Sequence, residues 1–156
     1  MRKVLEKTNS YILHYHVEEA QFSGTTALIV LITNRKIYTF NIGNSRMIIA
    51  KHFKKNNRIE PFQVTHDHTI ARFDERSRII KSGGVISPYK SERGEQVGPE
   101  RIWVKNEAYP GMFLTRTLGL SCAYKIGVIP QPEVSVIEYK SCFKYLILAS
   151  DGFWSV

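Results

Sequence analysis

The chain has 156 residues, of which 43% are hydrophobic and 23% charged, so it is long enough for one globular domain with its own core. Its apolar runs are too short to cross a membrane, and its first residues do not form a signal-peptide core, which indicates an intracellular protein, cytoplasmic or nuclear. The net charge of +8 raises the question of an acidic partner. Cys122 and Cys142 are neither closely spaced nor paired with histidines, which argues against a zinc site and favours reduced thiols.

The first third of the chain predicts a helix followed by strands. Residues 1–21 place apolar side chains at helical spacing, which predicts a helix. Residues 25–32 are continuously apolar after their first positions, which predicts a strand covered on both faces. Residues 36–42 alternate as a partner strand, and residues 46–50 form a third strand after a sharp glycine turn. The turn signals together predict a three-stranded antiparallel meander.

The densest basic stretch is Lys51–Arg58, which lies between two strand-like runs. A solvated hairpin loop explains such a run without any ligand. A basic nucleic-acid-binding protein is the minor alternative. No zinc-finger spacing or RNA-binding aromatic motif accompanies the charges, so the hairpin loop remains the favoured interpretation.

The later segments predict one more helix and several strands. Residues 61–65 predict a short strand, and residues 70–82 predict a helix that stops at two glycines. Residues 85–110 contain Ser-Pro, Arg-Gly and Gly-Pro turn signals, which predict a long irregular loop of the kind that is usually functional or mobile. Residues 134–139 and 145–149 predict the last two strands.

Two polar stretches are candidate metal-ligating sites. Asp151 follows the last predicted strand, a position that suits a hard metal ion, although its spacing alone favours a helix cap. His66 and His68 could point to one side of an extended segment and share a metal. A capping role for Asp67 or Thr69 is the favoured local interpretation there.

Five stretches of the chain resemble, in the same order, motifs of the metal-dependent protein phosphatases of type 2C. The similarity extends over nearly all of residues 23–156. The matching stretches are residues 23–27 (Ser-Gly-Thr-Thr-Ala), 41–46 (Asn-Ile-Gly-Asn-Ser-Arg), 65–68 (Thr-His-Asp-His, followed by Glu75, Arg78, Ile79 and Gly83-Gly84), 115–119 (Thr-Arg-Thr-Leu-Gly) and 149–154 (Ala-Ser-Asp-Gly-Phe-Trp).

This resemblance implies an α+β fold, part of an α-β-β-α sandwich in which two antiparallel sheets pack face to face with helices outside. It divides the chain into an N-terminal helix at 1–22 and the central part of a 2C-like domain at 23–156, truncated at both ends. The implied activity is hydrolysis of phosphoserine and phosphothreonine in a phosphoprotein substrate. Two Mg²⁺ or Mn²⁺ ions would activate the attacking water. No membrane partner is expected.

The resemblance also assigns candidate site residues. Asp151 matches a metal-ligating aspartate, which reverses the preference for a helix cap. Asp67 matches an aspartate that in some members helps to hold a further, weaker metal. Residues 87–110 match the flap, a variable loop beside the active site, with Arg101 and Trp103 on its substrate side. No catalytic residue is identifiable, because the general-acid histidine and the phosphate-binding arginine of the family have no counterpart here.

Several elements of the family pattern are not found in these 156 residues. The Asp-Gly-His-Gly element expected before Ser23 and the Gly-Asp-Asn element expected after Trp154 are both missing, and Asn44, Leu120 and Ser155 stand where the family has aspartates. We therefore expect this chain alone to be inactive. The alternative is a pseudophosphatase that acts as a protein-binding module. Sheets without all their partner strands expose edges, so self-association is expected.

Overall fold

The computed structural model describes residues 1–155 and contains two three-stranded antiparallel sheets that pack face to face, with a third three-stranded sheet beside them. The α+β class with antiparallel sheets is therefore confirmed. The helices are α1 (Arg2–Tyr15), α2 (Val17–Phe22), α3 (Phe73–Lys81) and α4 (Asp151–Trp154), with a 3-10 helix at Ser121–Ile126. The strands are β1 (Gly24–Thr25), β2 (Ala27–Ile32), β3 (Lys36–Ile42), β4 (Arg46–Phe53), β5 (Arg58–Gln63), β6 (Val85–Lys90), β7 (Gln96–Trp103), β8 (Pro110–Met112), β9 (Leu118–Gly119), β10 (Glu133–Glu138) and β11 (Phe143–Ala149).

The two central sheets have the strand orders β10-β3-β2 and β11-β4-β5. β2 and β3 form the predicted hairpin, but β4 belongs to the other sheet, so the prediction of a three-stranded meander was wrong. The reason lies in the turn after β3. Gly43 has φ +96°, and the buried Asn44 and Ser45 direct the chain across to the second sheet. Stacking β3 on β4 in this way buries the apolar inner faces of both strands, including Ile37 and Met47.

The core has separate layers on the two faces of the first sheet. Ile37, Met47 and Ile49 fill the space between the sheets. On the outer face, α1 covers the sheet through Leu5 and a group of side chains around it, namely Phe40, Ile42, Ala27, Ile29 and Val134. β2 is an edge strand, and its last two residues, Leu31 and Ile32, are 48% and 57% exposed. Residues 27–30 nevertheless pack on both faces, with Leu28 and Val30 between the sheets and Ala27 and Ile29 in the layer under α1. The prediction of a strand covered on both faces is therefore confirmed for this part of β2 and wrong only for its last two residues.

The predicted N-terminal helix is two helices in the structure. The chain leaves helical geometry at His16, where φ is −131° and ψ is 51°. Asn9 is buried on α1, and its side-chain oxygen accepts hydrogen bonds from the backbone N–H of Gly119 and the hydroxyl of Tyr124, both at 2.9 Å. This residue therefore ties the helix to β9 and to the 3-10 helix that follows it.

The irregular loop predicted for residues 85–110 is instead the third sheet, with the strand order β6-β7-β8. Its Gly and Pro residues mark a turn and register shifts rather than a lack of structure. Ile102 is fully buried in a core cluster with Ile79 of α3, which anchors the sheet to the rest of the molecule. We call this sheet the flap sheet (residues 85–112).

The remaining predicted elements are found close to their expected places. The helix predicted at 70–82 is α3, and its N-cap is Arg72 with no side-chain cap hydrogen bond, so neither Asp67 nor Thr69 caps it. The strands predicted at 61–65, 134–139 and 145–149 are β5, β10 and β11 with shifted ends. The basic stretch forms the β4–β5 hairpin as predicted. In the described part of the chain, no helix is long and apolar enough to span a bilayer.

Candidate active site

Asp151 lies where β11 ends and α4 begins, and its carboxylate is exposed. Ser150 occupies the N-cap position, so Asp151 is the first helical residue rather than the cap. One carboxylate oxygen accepts the backbone N–H of Gly152 at 2.9 Å, and the other accepts the side-chain amide of Asn44 at 3.2 Å. Trp154 donates its indole N–H to the carbonyl of Ala149 at 2.9 Å, which packs the short helix onto the strand. The carboxylate is thus held at one end of the sandwich.

The turn that carries Asn44 is fixed on both sides. The backbone of Gly43 exchanges two hydrogen bonds with His68, one through the imidazole Nδ1 and one through the backbone N–H, both at 3.1 Å. Ser45 and Thr26 share a hydroxyl hydrogen bond of 2.8 Å. A Cβ on Gly43 would lie 2.4 Å from the Thr26 methyl group, so only glycine fits this turn. Asn44 is therefore presented to Asp151 by a rigid loop.

His68 is fully buried and serves this turn rather than a metal. Its Nδ1 accepts the N–H of Gly43, so the ring proton is on Nε2, which donates to Glu133 at 2.8 Å. Burial lowers the pKa of His68, and the nearby charge of Arg116 lowers it further. His66 is exposed, so the two histidines do not converge on one metal site and that hypothesis was wrong.

Asp67 is engaged by Arg46. The guanidinium donates to both carboxylate oxygens, at 3.1 and 2.8 Å, and lies 5.6 Å from the centre of the Trp154 ring. The hydrogen bond to Asp67 raises the pKa of Arg46, so the guanidinium stays charged. A metal ion at Asp67 would have to compete with this two-point contact.

A buried carboxylate, Glu75, was noted in the sequence only as part of a motif. It is fully buried and accepts hydrogen bonds from Arg78, from Arg116 and from the hydroxyl of Thr115. Burial opposes its ionisation, but the hydrogen bonds from Arg78 and Arg116 outweigh burial and hold the pKa of Glu75 well below its usual range. This network joins α3 to the turn at residues 115–116, which lies next to the Gly43 turn: a Cβ on Gly43 would lie 3.4 Å from the Arg116 carbonyl oxygen.

Arg101 and Trp103 lie on β7 of the flap sheet. Trp103 donates its indole N–H to the carbonyl of Ser87 at 2.9 Å, and its ring packs against Gly111, where a Cβ would lie 2.9 Å from the ring. Arg101 donates to the Gly111 carbonyl at 2.7 Å. A cleft of about 500 Å³ borders the indole, with Tyr89 at a ring-centre distance of 6.3 Å.

The described residues do not make a metal site by themselves. Within residues 1–155, no group of three or more His, Cys, Asp or Glu side chains is placed to hold an ion. Asp151 offers the hard oxygen that Mg²⁺ and Mn²⁺ prefer, but its neighbour is the neutral amide of Asn44. Leu120 and Ser155 are the two other positions where the resemblance expects aspartates. Leu120 has φ +56° just before the 3-10 helix. Ser155 donates its hydroxyl to the Asp151 carbonyl at 2.8 Å. A single exposed carboxylate cannot complete the oxygen shell of two divalent ions.

Comparison with protein-family models matches Protein phosphatase 2C over residues 2–156. The chain belongs to the protein phosphatase 2C family. Among curated relatives, "Probable protein phosphatase 2C 35" of Arabidopsis thaliana is 36% identical over 154 residues, covering 90% of this chain and 44% of the relative. "Probable protein phosphatase 2C 12" of Oryza sativa subsp. japonica is 33% identical, covering 88% of this chain and 34% of the relative. The chain thus spans less than half the length of these relatives.

Solved structures show the same fold. The serine-threonine phosphatase 2C from Toxoplasma gondii superposes with a TM-score of 0.82 at 18% identity, covering 99% of this chain and 50% of that one. A C. elegans sex determining protein superposes with a TM-score of 0.75 at 23% identity, covering 99% of this chain and 34% of that one. At these identities the likeness establishes the fold, and the chemistry has to be argued from the site.

Proposed function

We propose that this protein is a metal-dependent serine/threonine phosphatase of the 2C type, which hydrolyses phosphoserine and phosphothreonine in other proteins. The observation that carries the proposal is Asp151, an exposed carboxylate held at the end of β11, a strand of one of the two central sheets, in a chain of this family. Removal of phosphate from proteins is a signalling reaction. The two cysteines are free thiols, which supports an intracellular setting.

In this proposal Asp151 supplies one carboxylate ligand to a divalent ion, Mg²⁺ or Mn²⁺, and a complete site holds two ions. Such an ion, when bound, lowers the pKa of its water and neutralises charge on phosphoryl oxygens. Asn44 sets the direction of the carboxylate through the 3.2 Å hydrogen bond. Asp67 is the secondary ligand candidate, available only when Arg46 releases it. Since the described residues do not complete the shell, we propose that these 156 residues alone are inactive.

The flap sheet would contribute to the choice of substrate. Trp103 is held in one orientation by Ser87 and Gly111, so its ring is a rigid apolar surface beside an open cleft. Arg101 is tied to the Gly111 carbonyl through one nitrogen and keeps further N–H donors for an anionic group. Both features suit contact with a phosphorylated polypeptide.

A pseudophosphatase that binds a partner protein is the second candidate. It is favoured by Asn44, whose amide donates to Asp151 at a position where a second carboxylate would attract a metal ion. In that case the fold and the flap sheet would hold a partner without turnover.

We also propose that the isolated chain associates with itself. β2 and β11 are edge strands of the two central sheets. Leu31 of β2 is 48% exposed and Leu148 of β11 is 44% exposed, so both edges are apolar as well as unpaired.

The test of the proposed activity uses the protein as cells make it. An antibody against residues 87–110 would retrieve it, and release of phosphate from a phosphoserine peptide would be measured with Mn²⁺ and with excess chelator. We expect release with Mn²⁺ and none with chelator. A retrieved protein that releases no phosphate under either condition, but carries bound partner proteins, would replace the phosphatase with the pseudophosphatase.

A further inference from the structure

Three turns come together at the end of the sandwich opposite Asp151. They connect β2 to β3 (residues 33–35), β4 to β5 (residues 54–57) and β10 to β11 (residues 139–142). The backbone N–H of Tyr139 bonds to the carbonyl of Arg35 at 2.8 Å, and that of His52 bonds to the carbonyl of Cys142 at 2.7 Å. We call this surface the turn face (residues 32–36, 53–58 and 138–144). It is separated from Asp151 by the length of β11, about 20 Å for a strand of seven residues.

The turn face carries most of the net positive charge of the chain. It has seven Lys or Arg residues against one acid, Glu138, a net charge of +6 out of the +8 of the whole chain. All seven cations are exposed, and none forms an ion pair within residues 1–155. They are Arg35, Lys36, Lys54, Lys55, Arg58, Lys140 and Lys144.

Four arginines nearer to Asp151 differ from the cations of the turn face because they form ion pairs. Arg46, Arg72, Arg78 and Arg116 all pair with carboxylates. Those side chains are therefore structural, whereas the charges of the turn face have no partner among the described residues. A concentration of unpaired charge at one end of a protein favours an anionic partner there.

The chemistry of the turn face favours a lipid surface over a nucleic acid. Five of its seven cations are lysines, which act as point charges, whereas two-point recognition of base edges favours the planar arginine fork. Apolar side chains project from the same three segments: Ile32 is 57% exposed, Phe53 43% and Tyr139 50%. Lysines interleaved with exposed apolar and aromatic residues are typical of surfaces that enter the headgroup region of a membrane.

We propose that the turn face docks on an anionic lipid membrane, with its lysines on the headgroups and Ile32, Phe53 and Tyr139 in the interface. The anionic leaflet of cellular membranes is the cytoplasmic one, where such charges bind. Docking in this way leaves Asp151 facing away from the lipid. The inference is independent of the proposed phosphatase activity. It revises the expectation of no membrane partner. That expectation considered the basic hairpin alone, whereas the fold also brings the β2–β3 and β10–β11 turns, with Arg35, Lys36, Lys140 and Lys144, to the same surface.

Flotation of the 156-residue chain with lipid vesicles tests the proposal. The chain is mixed with vesicles of phosphatidylcholine, with or without phosphatidylserine, and centrifuged in a density gradient, where bound protein rises and self-associated protein stays below. We expect flotation only with phosphatidylserine, weakening as salt is added.

Two charge-matched variants locate the surface. The variant Lys54→Glu/Lys55→Glu/Lys140→Glu should bind phosphatidylserine vesicles more than about 100-fold more weakly, because each lost Lys costs roughly fivefold and each new Glu is repelled by the anionic surface. The control Lys90→Glu/Arg93→Glu/Lys105→Glu makes the same change in net charge on and beside the flap sheet and should bind like the original chain. A milder variant, Lys54→Gln/Lys55→Gln, should bind about 20-fold more weakly, and circular dichroism checks that all variants are folded.

Three results would overturn the proposal. The first is no flotation with phosphatidylserine. The second is equal loss in the control variant, which would mean that net charge alone drives binding. The third is stronger binding of a duplex DNA or RNA probe that is lost in the turn-face variant, which would make the face a nucleic-acid interface instead.

Discussion

Glu75 has no exposed surface, yet its carboxylate is ionised because Arg78 and Arg116 donate to both of its oxygens. A charged group in this setting cannot lose its charge without leaving two guanidinium groups short of a partner. The residue thus stabilises the join between α3 and the turn at 115–116 rather than acting on a substrate.

The first prediction concerns this network. Glu75→Gln should lower the free energy of unfolding by about 3 kcal/mol, because it breaks a buried ion pair from one side. Urea unfolding followed by circular dichroism measures the change. Glu100→Gln is the matched control: it removes the exposed partner of Arg76 and should leave the free energy of unfolding nearly unchanged. Equal losses in the two variants would contradict the structural role of Glu75.

The second prediction is that the free energy of unfolding decreases in two steps as the pH falls, one due to His68 and one to Glu75. His68 has a lowered pKa in the folded state, so its contribution is complete above about pH 6.5 and decreases below it as protonation breaks the bond from Gly43. Glu75 also has a lowered pKa, so its contribution is present above about pH 4.3 and decreases as the pH falls further. Urea unfolding over this pH range measures both. In Glu75→Gln the lower step should shrink while the upper one remains; the remainder comes from Asp74, Glu100 and Glu133, whose pKa values are also lowered by hydrogen bonds from cationic side chains. An unchanged profile would contradict the assignment.

At the scale of the elements, the orientation of Trp103 in the flap sheet depends on one close contact between β7 and β8. Gly111 of β8 has φ +68° and lies under the Trp103 ring of β7. The contact fixes the orientation of the indole, and the indole in turn donates to β6 through Ser87. The third strand is therefore what makes the aromatic surface of the flap rigid.

The third prediction compares two glycines with similar backbone angles. Gly111→Ala should displace the Trp103 ring, shift its fluorescence and destabilise the protein by about 1–2 kcal/mol more than Gly98→Ala. Gly98 has φ +77°, but nothing lies within 4 Å of the added Cβ. Gly98→Ala therefore measures only the cost of holding an alanine at a positive φ. The emission is measured in a Trp154→Phe background. Indistinguishable spectra and stabilities for the two variants would show that the contact does not position Trp103.

For the molecule as a whole, the exposed edges of the central sheets predict association. The fourth prediction is that sedimentation velocity of the isolated chain shows species larger than a monomer. Leu31→Lys should reduce their fraction several-fold, because a lysine on an edge strand opposes pairing with another strand. Val97→Lys adds the same charge at a 51% exposed position of the flap sheet and should leave association unchanged. A compact monomer for the original chain would contradict this account.

Much of this molecule could be predicted from local sequence signals. The alternation of Lys36–Ile42 correctly predicted β3, and the apolar run at 145–149 correctly predicted a strand that ends just before Asp151. The flap sheet could not be predicted, because its Gly and Pro residues look like loop signals and its anchor Ile102 is buried only by contacts with the distant α3.

Contacts between residues that are distant in the sequence explain three further features that could not be predicted. The crossing from β3 to β4 depends on Thr26 and His68 packing around Gly43. The two-point engagement of Asp67 by Arg46 likewise joins residues that are far apart in sequence. The turn face combines charges from three separate segments, so no single stretch of sequence displays it.

The most direct test of the central claim is the effect of Asp151→Asn on Mn²⁺-dependent phosphate release by the protein that cells make. The substitution keeps the size of the side chain and removes the charge that a hard metal ion requires. We expect activity to fall by more than about 100-fold. Asp74→Asn, which alters an exposed carboxylate paired with Arg72, should leave it unchanged. Retained activity in Asp151→Asn would contradict the role of Asp151 as a ligand of the catalytic metal.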